Sequence, residues 1–340
     1  MFNRFSGIDN SISNNTVEGS YYYFSRLTEE QKKIYKELLA GIRACKKEIK
    51  MPIRPINEIS MIFSFILLDN PILFYVSTFS MSSDLYKKKC AIAPEYNYAR
   101  SEINESKNKI MKHLAMFDTI MNKRNDEKEL IVHDYCLDNF SYDYSFSDYS
   151  YSVLGPVLSK KAVCEGIAKF AKLAFDYLGV KSLVVSGKAK NPAQDSKMEG
   201  HSWNIVKING KTYHLDVTFD MTVKNQANRY DYFNLSDDEI KKDHVIINDV
   251  PTCSTTGNDY YSANSLTISS IAELDNYIGK ALRQGKRSIL VKIANEKYTD
   301  AAVNRVMVIA QRQYSRIHTG GTMVETSYNS SQMVFEIDFK

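Results

Sequence analysis

The sequence predicts an α+β protein, and three observations carry that prediction. From Val163 onward, Ile167, Phe170, Ala171, Ala174 and Leu178 recur at the three-four spacing of a buried helix face, and Gly179 stands where such a helix would stop. Two alternating runs, His201 to Ile208 and Lys211 to Thr218, flank Asn209-Gly210, the strongest short hairpin signal. Beyond about Ser254 strands and helices alternate in the manner of a small α+β domain. The 340 residues are 44% hydrophobic and 25% charged, which supplies one large core or two to three smaller ones and excludes extensive disorder and fibres.

In chain order, residues 1–20 are Ser/Asn-rich and aperiodic, as in a flexible arm. They lack the apolar run of a signal peptide, which predicts a cytoplasmic protein or, alternatively, a trimmed secreted form. Thr28 and Gln31 form a capping-box pattern. Ile34, Leu38, Ile42 and Cys45 follow at helical spacing, so a helix is expected to about Lys50, with Cys45 as a packing thiol and Met51-Pro52 as the stop.

The run from Ile59 to Phe79 is long enough to cross a membrane, but Asp69, Asn70 and Pro71 sit at its middle. A central Asp costs about 2.5 to 3.5 kcal/mol on insertion, so the run reads as a buried helix near 57–68, a turn and a buried strand over 72–79, with no membrane insertion. Helices are expected over about 99–122 and 127–139, the second holding Cys136 as another packing thiol. Phe140 to Ser152, crowded with Tyr, Ser and Asp, reads as a cleft-edge loop.

The Cys164 helix, a strand over 180–186, a polar stretch over 188–200 and the hairpin come next. The last part shows strands near 265–268, 288–293, 323–328 and 332–339 and helices near 271–284 and 300–313. The division expected is an arm (1–20), a mostly helical region (21–122), a central core (123–253) and a small α+β domain (254–340).

Composition narrows the chemistry. Lys and Arg number 44 against 40 Asp and Glu, a surplus too weak to imply nucleic acid or an anionic membrane. Five widely spaced cysteines without a CxxC pair fit neither a disulfide framework nor a zinc site, and no two histidines have ligand spacing with a third donor. No metal or other cofactor is expected.

Cys164 differs from the other cysteines in standing at a helix start. Unpaired N–H groups and the positive end of the dipole stabilise a thiolate there, and Gly166 in the same turn would leave room for a substrate. A nucleophile also needs a base. With a two-residue turn at Asn209-Gly210, Trp203 faces Asp216 and His201 faces Thr218, so His201 and Asp216 share a face as diagonal neighbours with Cα atoms ~7 to 8 Å apart. His214 lies on the same face, and register alone leaves both histidines open as the base.

The strings KKAVCEGIAKFAKLAFDYLGV, GHSWNIVKINGKTYHLDVTFD and YFNLSDDEIKKDH resemble the transglutaminase-like superfamily of bacterial proteins, over roughly residues 126 to 245. The resemblance implies a papain-like core in which the helix carrying the Cys packs on an antiparallel sheet carrying the His and Asp. It implies Cys164 as nucleophile, His201 as general base and acid, and Asp216 as the orienting carboxylate. Trp203 and Asn204 fall in its HxWN segment and become candidates for substrate binding or shielding. The Cys164 N–H becomes an oxyanion donor, with Tyr151 in the preceding loop the candidate for a second. Phe219 stands where relatives usually have Trp. The implied activity is acyl transfer on a protein or peptide amide through a thioester, of protease, deamidase or transglutaminase/cyclase type. The alternative is a catalytically degenerate core serving as a binding or scaffolding module.

Overall fold

A computed structural model of the chain describes residues 21–191, 197–225, 227–318 and 323–340. The expected arm at 1–20 and residues 192–196 of the polar stretch lie outside them. The chain is α+β, with helices and mainly antiparallel sheets, and it divides into two compact units. One comprises residues 1–185 and 202–210, the other 186–201 and 211–340.

In the first unit the helix Glu29–Arg43 begins at the predicted capping box: the Thr28 hydroxyl accepts from the Gln31 N–H, and the Thr28 N–H donates to Gln31 Oε1. It ends well before Lys50. Cys45 has a left-handed backbone (φ 50°) and is half-buried beyond the helix, and Ile49–Pro52 is a strand. Helical spacing ran as far as Cys45, but beyond it buried Ile49 and Met51 alternate with exposed Lys50 and Pro52, which has the period of a strand.

The apolar helix Ile56–Asp69 is followed by buried turn residues, and the strand starts at Val76, four residues later than expected. The polar break in that run is a bracket. Asp69 is buried and accepts from the N–H groups of Tyr23 and Phe24 and from the Tyr35 hydroxyl, while Asn70 donates to Tyr35 Oη and to Ile66 O. Three long-range partners therefore satisfy a carboxylate that would be costly unpaired. Among the described residues no helix is long and apolar enough to cross a membrane.

An unanticipated antiparallel sheet joins Ile49–Pro52, Lys89–Tyr96 and Val76–Asp84, with Lys89–Tyr96 central. The helices Arg100–Leu114, continued by a 3-10 segment Ala115–Ile120, and Asn125–Asn139 match expectation. Cys164–Leu178 has the predicted bounds and stops at left-handed Gly179.

In the second unit, His244–Ile246 pairs antiparallel with residues 187–189, and residues 214–215 pair with 233–235 across a bulge. The last part folds as expected. Thr267–Ile268, Ser288–Ile293, Val334–Phe339 and Val324–Asn329 form a sheet in that order, its first pair parallel and the rest antiparallel. The helices Ile271–Arg283 and Asp300–Ser315 bury Leu274, Ile278, Val306 and Ala310 in one cluster with Val291 and Phe335 of the sheet. Among the described residues, that cluster draws on residues between Ile268 and Phe339.

Candidate active site

Cys164 is the first residue of its helix and is half-buried, so its thiol has both the N-terminal N–H groups and access. The preceding loop is held against this turn from below. Asp143 is buried and accepts from the backbone N–H and hydroxyl of both Ser145 and Ser147 and from the Ser150 hydroxyl. Those hydroxyls hold its carboxyl well below the usual carboxylate range. Ser150 in turn accepts the Val163 N–H through its carbonyl (3.2 Å).

That carbonyl settles the role of Gly166. A Cβ there would collide with Ser150 O and lie 3.0 Å from Ser152 O, so the glycine makes room for the chain itself and not for a substrate. Tyr151 is about half exposed, and its carbonyl accepts from Lys169 Nζ, which also pairs with Glu165 at 2.5 Å. The loop is thus pinned to the helix by its backbone, with the Tyr151 ring on the outside. Tyr151, Glu165 and Lys169 border a cavity of about 250 Å³ floored by Leu67, Leu73 and Phe74.

Asn204 and Trp203 are both buried. The Asn204 NH2 donates to Ala168 O (3.0 Å) and Leu183 O (3.3 Å), so it ties the Cys164 helix to a neighbouring strand instead of offering those protons to a substrate.

Asn209 and Gly210 have φ of 50° and 82°, the paired positive values a tight I′ turn demands, and they separate the strands Glu199–Ile208 and Lys211–Leu215. The second strand ends before Asp216, which instead caps the short helix Val217–Val223: its Oδ1 accepts from the Phe219 N–H. Its Oδ2 accepts from His201 Nε2 at 2.6 Å, so the diagonal pair expected from the hairpin meets. His214 does not share that carboxylate. It is buried with Nε2 2.9 Å from Asp237 Oδ1.

A residue without a sequence signal joins the pair. His244 Nε2 lies 3.1 Å from the same Asp216 Oδ2. Burial pushes the Asp216 carboxyl up, but His201 and His244 outweigh it and hold the group well below the usual range.

Among the described residues, two groups place three potential metal donors within 4.8 Å: His201, Asp216 and His244, and His214, Asp237 and Cys253. Sequence spacing could not show them, because the donors come together only in the fold. In both groups the imidazole–carboxylate contacts are hydrogen bonds, so a cation would have to displace the shared protons. Burial also pushes the Cys253 thiol up to about 12.

Residues 115–217, a stretch that holds Cys164, His201 and Asp216, match the family model of the Transglutaminase-like superfamily. The chain carries a transglutaminase-like core. Solved structures similar to the chain include a protein described as a TGase, at 14% identity and TM-score 0.30 over 50% of this chain and 51% of that one. A proposed cysteine protease from Cytophaga hutchinsonii is 12% identical, TM-score 0.26, over 42% and 62%. A proposed protease from Parabacteroides distasonis is 13% identical, TM-score 0.25, over 42% and 36%. The matched part spans less than two thirds of each of these proteins. No curated protein matches the chain. Within the transglutaminase-like core, Cys164 belongs to the first compact unit and His201 and Asp216 to the second.

Proposed function

We propose that the protein is a cysteine-dependent acyltransferase or hydrolase acting on a protein or peptide amide, with Cys164 as nucleophile, His201 as base and acid, and Asp216 as orienting carboxylate. The observation that carries this reading is the buried 2.6 Å contact between His201 Nε2 and Asp216 Oδ2. It fixes the tautomer and leaves Nδ1 as the nitrogen a thiol would use. The Cys164 thiolate attacks the carboxamide carbon. The tetrahedral oxyanion forms near the helix-terminal N–H groups, and the amine leaves with the proton that His201 took from the thiol. The resulting thioester is then opened by water or by an amine.

Intact-mass analysis of a glutamine peptide, with and without a primary amine, tests this. A gain of about 1 mass unit signals deamidation, a loss of about 17 signals cyclisation or crosslinking, and fragments signal proteolysis. Cys164→Ala abolishes turnover, and iodoacetamide labels Cys164 faster than half-buried Cys45. Unchanged turnover in Cys164→Ala sinks the proposal, whereas no turnover by the wild-type chain leaves the core as a binding module.

A further inference from the structure

We propose that His244 is a positioning residue for the His201–Asp216 pair: its ring, charged and clamped between Asp216 and Asp243, shares Asp216 with His201 and sets how tightly His201 holds its proton. This rests on the triad reading above.

The geometry is a continuous buried chain. Asp216 Oδ2 receives His201 at 2.6 Å and His244 at 3.1 Å, while Oδ1 is occupied by the Phe219 N–H. On the far side of the His244 ring, Nδ1 lies 2.6 Å from Asp243 Oδ1, and Asp243 Oδ2 accepts the Tyr232 hydroxyl, also at 2.6 Å. His244, Asp243, Asp216 and Tyr232 are all buried. A neutral imidazole has one N–H and one lone pair, and a lone pair facing a carboxylate oxygen repels it. With a carboxylate at each nitrogen, only the imidazolium satisfies both contacts.

The surroundings agree. Burial pushes His244 down, but its hydrogen bonds to Asp216 and Asp243 and the charges of both reverse this and raise it overall. The other groups facing the ring are His201, with ring centres 5.4 Å apart, Tyr232 at 5.7 Å, Phe219 at 4.7 Å, and His214, whose own proton affinity His244 lowers. With His201 neutral, Asp216 and Asp243 carry two negative charges and His244 one positive. The charged ring therefore takes part of the Asp216 field that would otherwise hold a proton on His201, and a base kept too basic transfers protons poorly at neutral pH.

The test titrates the histidines by 15N NMR in the Cys164→Ala chain, where no thiolate pairs with His201. At pH 7 both ring nitrogens of His244 are expected to be protonated. His244→Gln, by removing a positive neighbour, is expected to raise the His201 pKa by about one unit. Asp243→Asn keeps the ring in place while removing one carboxylate, so His244 loses its charge at lower pH and the His201 pKa rises, as it does in His244→Gln. A His244 with one unprotonated nitrogen at pH 7 overturns the proposal, whether or not the variants fold. So does a His201 pKa that moves by less than about 0.3 in folded variants. Amide turnover surviving in Cys164→Ala would instead remove the triad reading, whatever the titration shows.

Discussion

The carbonyl oxygen of Ser150 occupies the space a side chain on Gly166 would need, so the loop ahead of Cys164 and the first turn of its helix are fitted backbone to backbone. The obstacles are the main-chain oxygens of Ser150 and Ser152 and the Cβ of Ala162, and none can swing aside as the end of a flexible side chain would. Gly166→Ala is therefore expected to destabilise the protein by roughly 2 to 3 kcal/mol and to slow alkylation of Cys164 as the loop is displaced. Gly200, with nothing within 4 Å of its Cβ position, is the control: Gly200→Ala should change the urea midpoint little. Equal midpoints for the two variants would refute the fitted-backbone account.

Asn204 yields a prediction that separates support from substrate contact. Its NH2 joins two backbone carbonyls that the Cys164 helix and the strand beginning at Ser182 present to a buried site. Asn204→Ala leaves those acceptors short of donors and opens a cavity, at a cost of roughly 2 to 4 kcal/mol. Because the amide is spent on the fold, KM of the folded enzyme is expected to stay within about twofold of wild type. A KM rise with unchanged thermal stability would return Asn204 to the substrate.

These two residues show where sequence reading stops. The Cys164–Leu178 helix, the Asn209-Gly210 turn and the strands and helices after Ile268 were legible because period, cap and turn chemistry are local. The His201–Asp216 contact was legible too, since hairpin register is local arithmetic. His244 meets Asp216 across 28 positions, Ser150 fills the Gly166 site from the preceding loop, and Asn204 reaches Ala168 across 36 positions. No short-range pattern encodes such meetings. Of the three-stranded sheet only part of one strand was legible, the buried strand expected over 72–79, because the rest of Val76–Asp84 is mostly exposed and polar.

Asp69 gives stability a pH dependence of predictable sign. Burial is the largest influence on its carboxyl and raises it from 3.8 to about 7, against the pull of Lys172 and of hydrogen bonds from Phe24, Tyr23 and Tyr35. With the folded value above the unfolded one, the native state binds the proton more tightly. The associated stability is complete below about pH 4, declines as pH rises, and is gone once pH passes about 7. A difference of about three units corresponds to roughly 4 kcal/mol at most. Asp216 acts in the other direction and in another window, because its depressed carboxyl loses stability only as pH falls below the ordinary Asp range. Asp69→Asn cannot titrate, so the wild-type minus variant difference in unfolding free energy, from urea titrations at pH 4.5, 6 and 7.5, should fall steadily with pH. A difference that is flat or rising across that interval would show that Asp69 is ionised throughout, held by the Tyr23 and Phe24 N–H groups.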